Sequence, residues 1–347
     1  MIMNSMWIFS LKRALLPATA TFLCGQALGS IPGSVRPQTP ALCAQPRKPI
    51  CGILSQELSR GMKKTNPDYN SYIASSYVKY YESSGARVVP ILINQQDEYY
   101  ENIVNSVNGI VFPGGSASIT NSSGYGRAGR KLYELILEAN NNGRTMPLWA
   151  TCLGFEMLML LAGHTNEKME VLTSCKDSNV AHPLNLTAGW NTSRILGEAP
   201  DDIITPLITM KITSNFHKFC VTNETFKKLD IYKDFNILST NVDTLGDEYI
   251  STVEHKRFPI WGTQWHPEKN QYEWKYSSIP HFPEAIRVAQ YFGNFFIDKT
   301  RLNHNSFVNE TEEKAHLIYN HPVVDMAPFI NPPWNYSSSF HQCYFFY

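Results

Sequence analysis

The run Met146-Pro147-Leu148-Trp149-Ala150-Thr151-Cys152-Leu153-Gly154-Phe155-Glu156-Met157-Leu158 decides how this chain is read. It opens as a short apolar segment after the turn-forming cluster Asn140-Asn141-Asn142-Gly143. It passes into a helical pattern in which Phe155, Met157, Leu158, Leu160 and Leu161 crowd apolar faces. The implied order is strand, sharp turn, helix, with Cys152 in the turn. Such an elbow lifts a side chain clear of the backbone, and the helix behind it turns free N–H groups and partial positive charge toward the sulfur. Both favour a thiolate. Gly154, lacking a Cβ, lets the chain pack closely at the turn. Taken alone, Cys152 also reads as a buried core thiol, so its surroundings must decide.

Upstream, short apolar strands alternate with helical segments. Pro49 to Leu54, Arg87 to Leu92, Gly109 to Phe112 and Pro147 to Thr151 read as strands; Ser71 to Glu82, Glu98 to Val107 and Arg127 to Asn140 read as helices. Strands that are apolar throughout argue for an α/β fold with a mostly parallel sheet and helices on both faces. In such sheets ligands bind beyond the carboxyl ends of the strands. Pro113-Gly114-Gly115 and Cys152 both fall there and are expected to be neighbours. Downstream the rhythm is weaker. Asp201 to His217 has room for strands, Phe235 to Thr240, Glu248 to Val253 and Phe258 to Trp265 read as strands, and Pro283 to Asp298 reads as an amphipathic helix. The tail from Asn309 has no clear period.

The 347 residues are 43% hydrophobic, enough for a large core. The 30 basic and 30 acidic residues cancel, which argues against a nucleic-acid partner. Lys12 and Arg13, an apolar run to Cys24, and small residues at Ala27 and Gly29 have the pattern of a secretory signal over residues 1–29. The run is too short to span a bilayer, so no membrane anchor is expected. Residues 30–48 read as a Pro-rich leader and 49–347 as a single catalytic domain. Sequons at Asn121, Asn185, Asn191, Asn223, Asn309 and Asn335 fit an exported chain. If Cys24 leaves with the signal, Cys43, Cys51, Cys152, Cys175, Cys220 and Cys343 remain, an even number that suits an oxidising compartment. The pairing is left open, with Cys152 set apart by its elbow. No C-x-x-C, HExxH, phosphate loop or GxGxxG occurs, so no metal and no cofactor are expected.

His266 directly follows an apolar strand, with Glu268 two residues on. A carboxylate there can hold one ring nitrogen and leave the other for a thiol, giving nucleophile, base and orienter as Cys152, His266 and Glu268. A turn histidine beside a solvated glutamate is the plainer alternative. Gly114-Gly115 is either a simple turn or a nest whose N–H groups, with that of Leu153, face a developing oxyanion. His217, beside Phe216, is a further candidate whose residue type is more often structural.

Together, Pro113-Gly114-Gly115, Thr151-Cys152-Leu153-Gly154 and Gln264-Trp265-His266-Pro267-Glu268 resemble the class I glutamine amidotransferase type of fold, a flavodoxin-like three-layer sandwich. Within it the chain is similar to the gamma-glutamyl hydrolase (folylpolyglutamate hydrolase) family over nearly all of residues 49–347. The similarity includes Ala74-Ser75-Ser76-Tyr77-Val78-Lys79, Ser214-Asn215-Phe216-His217-Lys218 and Ser338-Ser339-Phe340-His341-Gln342-Cys343-Tyr344. The resemblance implies a cysteine hydrolase that cuts γ-glutamyl bonds in folate and antifolate polyglutamates. It also implies a secreted or lysosomal glycoprotein, a homodimer, working without metal or cofactor. Carried over by residue, Cys152 is the nucleophile, His266 the base and Glu268 its orienter; Gly115 and Leu153 give the oxyanion N–H groups; Gly114, Glu156 and His217 fall in the substrate site. Amidotransferase relatives typically have Gln where this chain has Glu156. A glutaminase-type amidotransferase and a non-catalytic secreted binder of the same fold are the rival readings. In an acidic compartment, activity below neutral pH is expected from a Cys–His ion pair.

Overall fold

The structure, a computed structural model, describes residues 48–326 and 340–347. The signal over 1–29, nearly all of the leader, Cys43 and the Asn335 sequon lie outside the described residues.

The organising element is an eight-stranded sheet. In chain order its strands are β1 (Ile50–Leu54), β2 (Arg87–Ile91), β3 (Gly109–Phe112), β4 (Leu148–Thr151), β5 (Asn185–Leu186), β6 (Phe235–Val242), β7 (Glu248–His255) and β8 (Ile260–Thr263). In space they run β2-β1-β3-β4-β8-β7-β6-β5. The pairs from β2 through to β8 are parallel, and β7, β6 and β5 continue the sheet antiparallel. The expected α/β class with a mostly parallel sheet is what forms.

Strand alternation divides the core in two. In β3, Ile110 and Phe112 face one apolar layer and Val111 the other; in β4, Leu148 and Ala150 oppose Trp149. The first layer is covered by helices Asp97–Ser106, Gly124–Asn141 and Leu153–Ala162, the second by Ser75–Ser83, Asp201–Thr209 and Pro283–Thr300. Every residue of Leu153–Ala162 is buried, because its apolar side chains have no polar face to turn outward.

Three expectations change. Ser71 to Glu82 is not one helix: Ser71–Ala74 is a strand and the helix starts at Ser75. Tyr72 and Ile73 suit a strand, and Ser71–Ala74 pairs with the C-terminal strand Gln342–Phe346, a partner too distant in sequence for local periodicity to reveal. In 201–217 a helix, Asp201–Thr209, precedes the strand Thr213–Cys220. Asp201 and Asp202 suit its first turn, and Ile203, Ile204 and Leu207 bury against the second layer despite Pro206. The aperiodic tail holds the short helix Glu310–His316 and the paired strands Val323–Asp325 and Gln342–Phe346. Thr213–Cys220 pairs with Thr173–His182, and Cys175 is joined to Cys220 by a disulfide across that pair.

Candidate active site

The end of β4 is fixed from β8, whose Thr263 carbonyl accepts the Cys152 N–H at 2.8 Å. Cys152 itself has φ 51° and ψ −110°, and its carbonyl accepts the Glu156 N–H at 2.8 Å to start the helix. A non-glycine residue in such a conformation costs about 1–3 kcal/mol and is kept only where its surroundings enforce it. Gly154 is part of that enforcement: a Cβ there would lie 2.0 Å from the Phe112 carbonyl oxygen. The Leu153 N–H is directed at the Cys152 sulfur.

His266 comes from the chain leaving β8, anchored where its N–H donates to the Ser214 carbonyl at 2.9 Å. Its Nδ1 is 2.7 Å from Glu268 Oε1, both side chains being buried. Burial alone would raise the Glu268 carboxyl, but the charge and hydrogen bond of His266 hold it below the usual range. An ionised carboxylate only accepts, so Nδ1 carries the proton and the Nε2 lone pair is open. Nε2 is buried without a partner among the described residues. The position a Cβ would take on Gly114 lies 2.8 Å from His266 Cε1 and 3.1 Å from Cys152 Cβ. Thiol and imidazole therefore flank the same glycine.

Burial, followed by the nearby Glu156 and Glu268, raises the Cys152 thiol well above its ordinary range, against the pull of Lys269 and the Leu153 N–H. Burial also lowers His266 despite Glu268. The resting pair is thus thiol and neutral imidazole, not the expected ion pair. The helix N-terminus is present, but two carboxylates and the loss of water outweigh it.

Two positioning groups were missed by the sequence reading. The Gln56 amide clamps the Gly114–Ser116 turn: Nε2 donates to the Gly114 carbonyl at 3.0 Å and Oε1 accepts the Ser116 N–H at 3.1 Å. A Cβ on Gly115 would sit 1.8 Å from that Oε1. Tyr77 accepts the Gly114 N–H at 2.8 Å, donates to Glu268 and lies 3.3 Å from His266 Nδ1. Gln56 follows the carboxyl end of β1, so the strand-end rule that picked out Gly114 would have found it; Tyr77 lay inside what looked like an uninterrupted helix.

A cavity of about 160 Å³ opens onto Cys152 and His266, with Gly115, Phe216, Lys269 and Phe340 in its wall. A larger groove, about 710 Å³, lies between helices Asp201–Thr209 and Pro283–Thr300 and touches none of these groups, so size does not mark the site. Glu156 is buried near Cys152, its Oε1 accepting from Gln264 at 3.3 Å, and burial pushes it up to about 7. His217, expected at the substrate, is not in the wall. Alternation along Thr213–Cys220 gives that place to Phe216 and sends His217 into a buried network, with Nε2 3.2 Å from Asn215 Oδ1 and Nδ1 3.2 Å from the Phe219 carbonyl. His217 also lies with Cys175 and Cys220 in an arrangement of potential metal ligands, but the two sulfurs are bonded to each other. Asn121, Asn185, Asn191 and Asn309 are exposed and Asn223 is half-buried.

The family model for Peptidase C26 matches residues 49–268. The chain is 39% identical over 303 residues to the gamma-glutamyl hydrolase of Homo sapiens, covering 86% of this chain and 90% of that one. It belongs to the peptidase C26, gamma-glutamyl hydrolase family. It is 38% identical to the rat (Rattus norvegicus) gamma-glutamyl hydrolase, covering 96% of this chain and 98% of that one. It is also 38% identical to gamma-glutamyl hydrolase B of Dictyostelium discoideum, covering 79% and 78%. Among solved structures, PurLQS from Thermotoga maritima overlays with a TM-score of 0.43 at 14% identity, covering 72% of this chain and 99% of that one. As a peptidase C26 member the chain is a cysteine-type hydrolase, and no helix among its described residues is long and apolar enough to cross a membrane.

Proposed function

We propose that this peptidase C26 enzyme hydrolyses γ-glutamyl amide bonds in the polyglutamate tails of folates and antifolates, with Cys152 as nucleophile, His266 as general base and Glu268 as its orienter. The observation that carries the reading is the buried His266–Glu268 pair at 2.7 Å, with the second ring nitrogen left open beside the Cys152 elbow. The relatives named gamma-glutamyl hydrolase support the bond type.

The resting thiol is neutral, so attack and deprotonation are coupled. As Cys152 Sγ bonds to the γ-carbonyl carbon, His266 Nε2 takes the thiol proton, and Glu268 stabilises the imidazolium through Nδ1–H. The carbonyl oxygen gains the negative charge, and the Gly115 and Leu153 N–H groups are placed to hold it. Collapse of the tetrahedral species breaks the C–N bond, and His266 returns the proton to the leaving α-amine. The acyl-enzyme is then cleared by a water that His266 activates.

The Cys175–Cys220 disulfide suits the secretory or lysosomal route implied by the N-terminal signal, and the exposed sequons Asn121, Asn185, Asn191 and Asn309 are available to glycans. A homodimer and an absence of cofactor remain parts of the same proposal. The test is a side-by-side assay of methotrexate pentaglutamate and free glutamine, with products followed by mass spectrometry. Release of shortened polyglutamates is the expected result. Ammonia release from glutamine alone would replace it with the amidotransferase reading, and no turnover of either with the binder reading.

A further inference from the structure

Lys269 is 1% exposed, lines the nucleophile's cavity, and follows Glu268 directly. Its ammonium stands over two aromatic rings, 5.0 Å from the centre of Phe216 and 4.6 Å from that of Phe340. The two nearest carboxylates are otherwise engaged, Glu268 with His266 at 2.7 Å and Glu273 with His341 at 3.0 Å. Among the described residues none forms a salt bridge with Lys269. An ammonium is rarely buried without a carboxylate, because ring faces replace only part of its lost hydration. Lys269 is also the one cation in the described wall, since His266 rests neutral. Its charge already reaches the sulfur, where it opposes the carboxylates that raise Cys152.

We propose that Lys269 is the specificity residue that receives a substrate α-carboxylate flanking the scissile bond. The inference rests on the γ-glutamyl reading above and adds to it the group that is read. A γ-glutamyl linkage differs from an ordinary peptide bond in leaving free α-carboxylates close to the amide being cut, one on the acyl-donating glutamate and one on a leaving glutamate. A single buried cation held by two rings, with its stem fixed beside the general base, separates such a substrate from a neutral amide of the same shape. Lys269 is thus a reader of charge, distinct from the groups that move the proton.

The test uses three γ-linked glutamate substrates: one with free α-carboxylates, one with an α-carboxamide on the acyl-donating residue, and one with it on the leaving residue. The wild-type enzyme is expected to lose about 10- to 100-fold in kcat/KM on one of the two amides, the range for a hydrogen bond to a charged group. The amide that suffers identifies the carboxylate being read. In Lys269→Met, which keeps the apolar stem between Phe216 and Phe340, that amide and the free acid should be cleaved at equal rates, and Lys269→Arg should restore part of the preference. Indifference of the wild-type enzyme to both amides would overturn the assignment even if the variants did not fold. So would a Lys269→Met enzyme slowed equally on all three substrates, the mark of a merely structural lysine. Failure of the wild-type enzyme to cut any of the three would remove the γ-glutamyl reading itself.

Discussion

The phenol oxygen of Tyr77 accepts the Gly114 N–H at 2.8 Å while its hydroxyl hydrogen goes to Glu268. One side chain thus joins the oxyanion turn to the carboxylate that orients the base. Tyr77→Phe leaves a buried N–H unpaired, which costs about 1–3 kcal/mol. It should lower the melting temperature, and it should reduce kcat about tenfold with little change in KM, because the substrate cavity is not altered. Steady-state kinetics and thermal unfolding check both; a variant with wild-type kcat would detach Tyr77 from the chemistry.

Gly115→Ala should be more damaging than its size suggests. The added methyl would fall 1.8 Å from Gln56 Oε1, so the clamp on the turn must let go. Displacing one oxyanion donor typically costs about 3 kcal/mol, so kcat should drop about a hundredfold. Gln56→Ala, which frees the turn without touching Gly115, should show the same direction with a smaller loss. Equal rates for wild type and Gly115→Ala would mean that this N–H does not face the reacting carbonyl.

Glu156 gives the site a pH dependence with a definite sign. Its carboxyl is raised from 4.5 to about 7 by burial, so the fold favours the protonated form. The associated stability is fully present below pH 4.5 and is lost as pH rises through about 7. A shift of this size corresponds to about 3 kcal/mol at most. Ionised Glu156 also raises the Cys152 thiol, so kcat/KM should fall as pH climbs past 7. The lowered His266 keeps its lone pair to below 6.5, extending activity into acid. Glu156→Gln should be flatter in stability between pH 5 and 8 and should hold its activity on the alkaline side. An unshifted alkaline limb in that variant would show that another group sets it.

The Cys175–Cys220 bond closes a sequence separation of 45 residues, worth about 4 kcal/mol by chain entropy. Reduction, or Cys175→Ala with Cys220→Ala, should lower the melting temperature. It should also raise KM more than it lowers kcat, because Thr213–Cys220 carries Phe216 in the cavity wall while Cys152 and His266 hang on the main sheet. Calorimetry with and without reductant tests the first part and kinetics the second.

The sheet was legible where local pattern and burial coincide. β1, β3 and β4 are apolar runs buried on both faces, and the strand-end rule placed Gly114 and Cys152 together before any coordinates. Ser71–Ala74 was not legible, because its strand character comes from Gln342–Phe346, which lies at the other end of the chain. His217 was misplaced for a related reason. Its residue type suits a substrate site, but the alternation of Thr213–Cys220 gives the cavity to Phe216. The charge state of Cys152 was misjudged because the helix N-terminus is visible in a sequence, whereas the burial and the approach of Glu268 are not. Lys269 went unnoticed because a lysine next to an active-site motif reads as a solvated charge until both flanking rings are seen.

The central claim is that Cys152 forms a covalent acyl intermediate on γ-glutamyl substrates. The most direct measurement is intact-protein mass spectrometry of enzyme quenched during turnover of methotrexate pentaglutamate, with Cys152→Ala run in parallel. The account requires a transient added mass equal to the acyl fragment, located on the peptide containing Cys152, and loss of essentially all hydrolysis in the variant. Undiminished hydrolysis by Cys152→Ala would contradict it.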